Sequence, residues 1–303
     1  MARQAAPCLA APWEVTRLAG ALGAEVRGCN LRSATAQDCG HISELLLEHQ
    51  VLFFPDQPLT EDEHVRLGRF FGSLEAHPNL KRHETSAHPE IFELRASTGG
   101  VADEWHTDLT FRSEPSRMSI LHMAKCPPVG GDTLWASLST AYDALSPPMK
   151  ELCDGLTALH DASAHLRPEQ TAIHPVVRRH PVTGRKLLYV SEHFTRRIVE
   201  MNYEESAMLL AHLTRWVQKP EFTVRYRWRE GGIAIWDNTQ TQHRVLQDFE
   251  GERVIRRVTV SGDKPAAACA ARWEPFVRTG SRITATIHHD VQLYKHLKAL
   301  AKL

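Results

Sequence analysis

Strand-like apolar runs broken by Pro and Gly turns fill residues 90–137. Strands return at Phe222–Trp228, Gly232–Trp236 and Val254–Ser261, after a stretch from about 140 to 216 in which helical patterns dominate. Strands, then a helical insertion, then strands suit a mainly β chain with helical additions around a double-stranded β-helix (jelly roll, cupin-like) core. Upstream, apolar and β-branched residues separated by glycines suggest a short hairpin between Glu14 and Leu31. Ile42, Leu45, Leu46 and Leu47 recur at helical spacing, and the run Val51–Phe54, ended by Pro55, reads as a buried strand. Thr60-Glu-Asp-Glu63 has the form of a capping box for a second helix running to about Phe71, and Asn202-Tyr-Glu-Glu205 reads as the start of a helix over Ala207–Val217.

Within this frame the chemistry concentrates at Trp105-His106-Thr107-Asp108. On a strand, side chains two apart share a face, so a His-x-Asp pair sets an imidazole beside a carboxylate. Downstream, the apolar strand Ile233–Trp236 is followed by a polar turn that delivers His243, and Arg253 and Arg257 lie on another strand-like run. Two histidines and one carboxylate with an arginine nearby form a ligand set for non-haem iron(II) with open positions and an anionic co-substrate. Arg257 falls four residues after Arg253, which keeps both on one face, whereas Arg256 faces the other way and reads as structural.

These residues, together with Gly130-Gly131-Asp132-Thr133-Leu134-Trp135 and the turn Gly262-Asp263-Lys264-Pro265, resemble the iron(II)/2-oxoglutarate dioxygenases of the taurine dioxygenase (TauD/TfdA) family over residues 15–265. The resemblance implies that His106, Asp108 and His243 bind Fe(II). It also implies that Arg253 and Thr133 hold the distal carboxylate of the co-substrate 2-oxoglutarate, and that O2 is consumed with release of succinate and CO2. It further implies that Arg257 and His77 contact an anionic group on a small-molecule substrate. Asp132 reads as a turn residue. Leu80 stands where taurine dioxygenases carry a substrate-contacting tyrosine, and the stretch His160–His174, which corresponds to the lid insert, is short. Both features point to a less polar, more open pocket than one for taurine, suited to alkyl sulfates, longer sulfonates, aryloxyalkanoates or a larger carboxylate. The expected reaction is hydroxylation. Desaturation on the same platform and a non-catalytic metabolite sensor are the alternatives, while halogenation is disfavoured because Asp108 occupies the position a halide would need.

A chain of 303 residues can bury one large β domain, expected at 13–265, and the N-terminal stretch 1–12, which is small, Pro-containing and aperiodic, is expected to be disordered. The 36 basic and 36 acidic residues balance, so no sequence-independent attraction draws the chain to nucleic acid or anionic membranes. The N-terminus carries no basic segment followed by an apolar run, and six cysteines without a CxxC pair suit reduced thiols, so the expected location is cytoplasmic. Residues 266–303 form an extension in which Ile287, Val291, Tyr294, Leu297 and Leu300 recur at helical spacing. An amphipathic helix packed on its own subunit is expected there, with pocket closure or a homo-oligomer contact as alternatives. His288-His289-Asp290 is set aside as a metal site because adjacent helical residues point to different faces.

Overall fold

A computed structural model describes residues 13–79, 87–98 and 102–276. A hairpin of β1 (Glu14–Arg17) and β2 (Ala24–Arg27) leads to α1 (Ala36–His49), β3 (Val51–Phe54) and α2 (Glu61–Arg69). The strands β4 (Leu74–Glu75), β5 (Phe92–Thr98), β6 (Met118–Lys125) and β7 (Thr133–Ser137) follow. Helices α3 (Leu138–Asp143) and α4 (Pro147–Cys153) precede β8 (Thr157–Ala162), β9 (Arg167–Pro175), β10 (Val177–Arg179), β11 (Lys186–Leu188) and β12 (Thr195–Ile198). The chain then runs through α5 (Tyr203–Val217), β13 (Thr223–Tyr226), β14 (Ile233–Asp237), β15 (Thr241–Val245) and β16 (Glu250–Val260).

The main sheet runs β1-β2-β3-β14-β6-β16-β4, with β5 also on β16, and it is antiparallel except at β2–β3. A smaller sheet, β13-β7-β15, completes the jelly roll. Period-two alternation explains how the main sheet is covered on both sides. Val51, Phe53, Ala234 and Trp236 point to the cluster shared with Trp135 and Tyr226 of the small sheet. Leu52, Phe54, Ile233 and Ile235 point to the opposite cluster, shared with Ile42 and Leu46 of α1 and Val65 and Leu67 of α2. Trp135 and Trp236 are fully buried and meet edge to face at 5.7 Å, joining the two sheets. The helices start where the sequence places their caps: Thr60 with Glu63 and Asn202 with Glu205 exchange reciprocal side-chain to backbone bonds, as do Thr35 and Asp38. Each such cap contributes about 1 kcal/mol.

The segment from 140 to 216 departs from the helical expectation. Helices occupy only its two ends, and five short strands, β8 to β12, fill 157–198 as the sheets β12-β8-β9 and β10-β11. Short apolar runs such as Lys186–Leu188 carry no period that separates strand from helix, and their pairing partners are distant in sequence. The start of the C-terminal extension lies along these strands: Ala268 donates its N–H to the Val177 carbonyl, and Phe276 donates to that of Val199. The expected terminal helix, the N-terminal stretch 1–12 and Leu80 lie outside the described residues. Among the described residues no helix is long and apolar enough to cross a membrane.

Candidate active site

Strand β14 ends in a turn clamped by its last residue. Asp237 accepts from the Thr239 N–H at 2.7 Å and from Gln240 Nε2 at 3.0 Å, and its carbonyl accepts from Thr241 Oγ1 at 2.8 Å. His180, whose Nδ1 accepts from the backbone of Val182 and Thr183, donates through Nε2 to Asp237 Oδ2 at 2.8 Å. This buried network directs β15 back beside β7, and His243 lands in register with Trp135.

His106 is not on a regular strand, contrary to the expectation for the His-x-Asp pair. It forms a single antiparallel bridge with His243, each N–H donating to the other's carbonyl, at 3.1 and 2.8 Å. The chain turns immediately after Asp108, with Leu109 at φ 59° and the Arg112 N–H donating to the Leu109 carbonyl. Beside the edge strand β15 the run keeps only this bridge, the Val245 N–H bond to the Ala102 carbonyl and the Thr107 Oγ1 bond to the Thr241 carbonyl. The side chains still converge: His106, Asp108 and His243, all buried, offer ligand atoms that lie within 4.8 Å of one another.

Each of the three is oriented by its surroundings. His106 Nδ1–H donates to the Glu104 carbonyl at 2.8 Å, which leaves Nε2 as the lone-pair nitrogen, 3.9 Å from Asp108 Oδ1. Asp108 Oδ2 accepts from Ser119 Oγ at 2.9 Å, and Ser119 in turn accepts from Asn238 Nδ2 at 2.8 Å. Asn238 is held by Trp236 Nε1 at 2.8 Å. Asp108 Oδ1 accepts from Arg257 Nη1 at 2.8 Å. The ring of His243 lies against Trp236 at 4.8 Å, and its buried Nδ1 has no hydrogen-bond partner among the described residues.

The electrostatics suit a cation. Burial pushes both imidazoles down, His243 to about 4 and His106 well below its ordinary value, so both rings are neutral near pH 7 with lone pairs available. Burial alone would raise the Asp108 carboxyl, but the Arg257 guanidinium, with the bond from Ser119, outweighs it and holds the group below the usual carboxylate range. Two neutral imidazoles and an ionised carboxylate fit a divalent transition metal and occupy only one face of it, leaving positions for oxidant and co-substrate.

Arg253 and Arg257 share one face of β16, as their spacing requires, while Arg256 turns outward to Glu93 at 2.8 Å and Glu61 at 3.8 Å. Arg253 is only 3% exposed, and its hydrogen bonds go to the Gly131 carbonyl at 3.1 Å and Thr133 Oγ1 at 3.5 Å. Among the described residues no carboxylate forms an ion pair with it, and burial lowers its pKa to about 10. The two glycines before Asp132 permit this approach. Both have positive φ, a Cβ at Gly131 would press on Arg253 Cδ at 3.2 Å, and one at Gly130 would collide with the Asp248 carbonyl. Thr133 Oγ1 also accepts from Trp228 Nε1 at 2.9 Å, so its own hydroxyl proton is left to donate. Asp132, read as a turn residue, pairs with Arg225 at 2.6 Å.

His77 follows β4, and the Asn79 N–H donates to its Nδ1 at 3.2 Å, which puts the ring proton on Nε2. Burial, then the nearby Arg257, lowers its pKa to about 3. Its ring lies 5.6 Å from Phe92, over which the Arg257 guanidinium stacks at 5.4 Å. Sequence reasoning missed Ser119, Asn238 and Trp228. A polar residue inside the apolar run Met118–Met123 was the available signal for Ser119, and Asn238 stood within the motif already read for its histidine.

Comparison with known proteins agrees with this geometry. Residues 14–259 match the family described as taurine catabolism dioxygenase TauD, TfdA. An alkylsulfatase from Acinetobacter baylyi is 36% identical over 278 residues, covering 84% of this chain and 87% of its own. An alpha-ketoglutarate-dependent sulfate ester dioxygenase from Pseudomonas putida is 34% identical over 275 residues, covering 83% and 90%. The crystal structure of a taurine dioxygenase from Burkholderia xenovorans superposes with a TM-score of 0.76 at 35% identity, covering 84% of this chain and 93% of that one. With a jelly-roll core, a buried His-Asp-His cluster and these relatives, the chain belongs to the TauD/TfdA family and is an iron(II)- and 2-oxoglutarate-dependent dioxygenase.

Proposed function

We propose that the enzyme oxidises an organic sulfate ester or sulfonate with an apolar chain, and that His106, Asp108 and His243 hold the iron(II). The observation that carries the co-substrate assignment is the buried guanidinium of Arg253, which has no carboxylate partner among the described residues. A buried charge without a counter-ion is costly, and the distal carboxylate of 2-oxoglutarate would complete it through two parallel charge-assisted bonds. The Thr133 hydroxyl adds a third donor. When bound, the iron supplies activation of dioxygen, with 2-oxoglutarate as the co-reductant, for attack on a substrate C–H bond.

The remaining work belongs to side chains. Arg257 and His77 fix the anion and hence the distance of the adjoining carbon from the metal. Phe92, beside His77, and Phe194, which packs on Phe111 and lies 6.2 Å from the His106 ring, exclude water and suit an alkyl chain. With a sulfate ester, hydroxylation of the carbon bearing the ester oxygen gives a hemiacetal sulfate. It collapses by C–O cleavage to an aldehyde and sulfate, the hydroxyl proton leaving to solvent. One atom of O2 enters that hydroxyl and the other enters succinate, with loss of CO2. The relatives named for sulfate esters support the sulfur-acid class, and the sequence-level expectation of a less polar pocket supports a chain longer than taurine's. We assign catalysis to residues 13–265 and a cytoplasmic location to the enzyme, the latter on its cysteine pattern.

The test is succinate release across taurine, alkylsulfonates, alkyl sulfates and aryloxyalkanoates. Highest kcat/KM for an alkyl sulfate or long alkylsulfonate is expected. If taurine or a neutral compound is the best substrate, the proposal is wrong.

A further inference from the structure

We propose that His165 is a third polar contact for the anionic head group of the substrate, beside His77 and Arg257. This rests on the anionic-substrate reading above and extends it to a residue that neither the sequence motifs nor that reading assigned.

His165 closes the 3-10 turn Ser163–His165 between β8 and β9, within the stretch that the resemblance aligns with a lid insert. Its ring lies 5.4 Å from His77, 5.9 Å from His193, 5.4 Å from Phe194 and 5.5 Å from Phe111, each contact edge-on. His193 and Phe194 in turn lie 5.4 and 6.2 Å from the ring of His106. His165 is therefore one ring removed from the metal-ligand cluster and in direct contact with the histidine assigned to the anion.

Three observations give it a task beyond packing. Its Nδ1 is buried and has no hydrogen-bond partner among the described residues, a condition that native structures rarely leave unresolved. The next residue, Leu166, takes the left-handed conformation at φ 58° and is 88% exposed. That backbone is unfavourable for a bulky residue and is held where the chain leaves His165 for β9. The third concerns demand. A sulfate head group has three terminal oxygens, while Arg257 already donates Nη1 to Asp108 and its buried Nε has no partner. Arg257 and His77 together leave room for a further donor. Burial holds His165 down to about 4, so at pH 7 it is a neutral ring with one N–H to give.

The experiment uses the full chain loaded with iron(II) and 2-oxoglutarate under anaerobic conditions, with hexyl sulfate as the probe and its Kd measured by calorimetry. KM values for hexyl sulfate and 2-oxoglutarate are then measured in air. His165→Ala is expected to weaken hexyl sulfate about 10- to 100-fold, the effect of a hydrogen bond to a charged group, with the 2-oxoglutarate KM and the Tm nearly unchanged. His165→Asn, whose amide nitrogen takes the place of imidazole Nδ1, should recover most of the affinity, and His165→Gln, which mimics Nε2, should not.

Unchanged affinity in His165→Ala overturns the proposal. So does equal loss in the Asn and Ala variants at unchanged Tm. If the wild type binds no sulfate ester or sulfonate but does bind an aryloxyalkanoate, the sulfur-acid reading fails by itself, and the same variants measured with that carboxylate decide the role of His165. Binding of neutral compounds alone overturns both.

Discussion

Replacing Arg253 with Met should strengthen the free protein and cripple its use of 2-oxoglutarate at the same time. The guanidinium is 3% exposed and its pKa falls from 12.5 to about 10 because burial disfavours the charge. The sign follows from linkage. Because the folded-state pKa lies below the unfolded one, the penalty is fully present at every pH below about 10, and it is relieved only as pH rises from there to 12.5. A shift of that size corresponds to about 3 kcal/mol at roughly 1.4 kcal/mol per unit. Met fills similar volume without charge, so after loss of the bonds to Gly131 and Thr133 the apo-protein should gain about 1–2 kcal/mol, as buried ions replaced by apolar groups often do. Against this, losing a buried charge pair with the co-substrate should cost about 2–5 kcal/mol, or roughly 30- to 4,000-fold in affinity. Thermal denaturation of the metal-loaded protein with and without 2-oxoglutarate reads both quantities. The wild type should show a ligand-induced rise in Tm, and the variant a higher starting Tm with little or no rise. A variant that is less stable than wild type yet keeps the full 2-oxoglutarate shift would refute the reasoning, because Arg253 would then be a structural arginine already compensated.

Asp108→Ala should abolish succinate production and stoichiometric iron(II) binding, checked by metal analysis after anaerobic loading; retained turnover would remove the ligand assignment. Ser119→Ala, which frees Asp108 Oδ2, and Arg257→Ala, which frees Oδ1, should each weaken iron about 10- to 100-fold in competition with a chelator, and only Arg257→Ala should also raise KM for the anionic substrate. The stability of the metal-free protein should fall as pH drops below 6.5. Burial lowers His64 to about 3, His122 to about 4 and His243 to about 4, so the unfolded chain takes up protons that the folded chain refuses. Denaturant titrations between pH 7 and 5 should show this slope. His64→Gln, which can keep the bond to the Ile120 carbonyl, should flatten it.

What was legible in the sequence is what local physics governs. The caps at Thr60 and Asn202, the double-faced strands Val51–Phe54 and Ile233–Trp236, the even spacing that sets Arg253 and Arg257 on one face with Arg256 on the other, and the grouping of His106, Asp108 and His243 all follow from periodicity and from motifs in order. The strands of 157–198 were not legible, because three- to nine-residue runs whose partners lie far along the chain have no local preference strong enough to reveal them. Only the folded chain decides that His106 bridges His243 rather than lying in a ladder, that Ser119 and Asn238 reach Asp108 from two other segments, and that the ring of His165 meets that of His77. In each case the deciding interaction joins residues distant in sequence, and burial sets its strength, so composition and spacing carry no record of it.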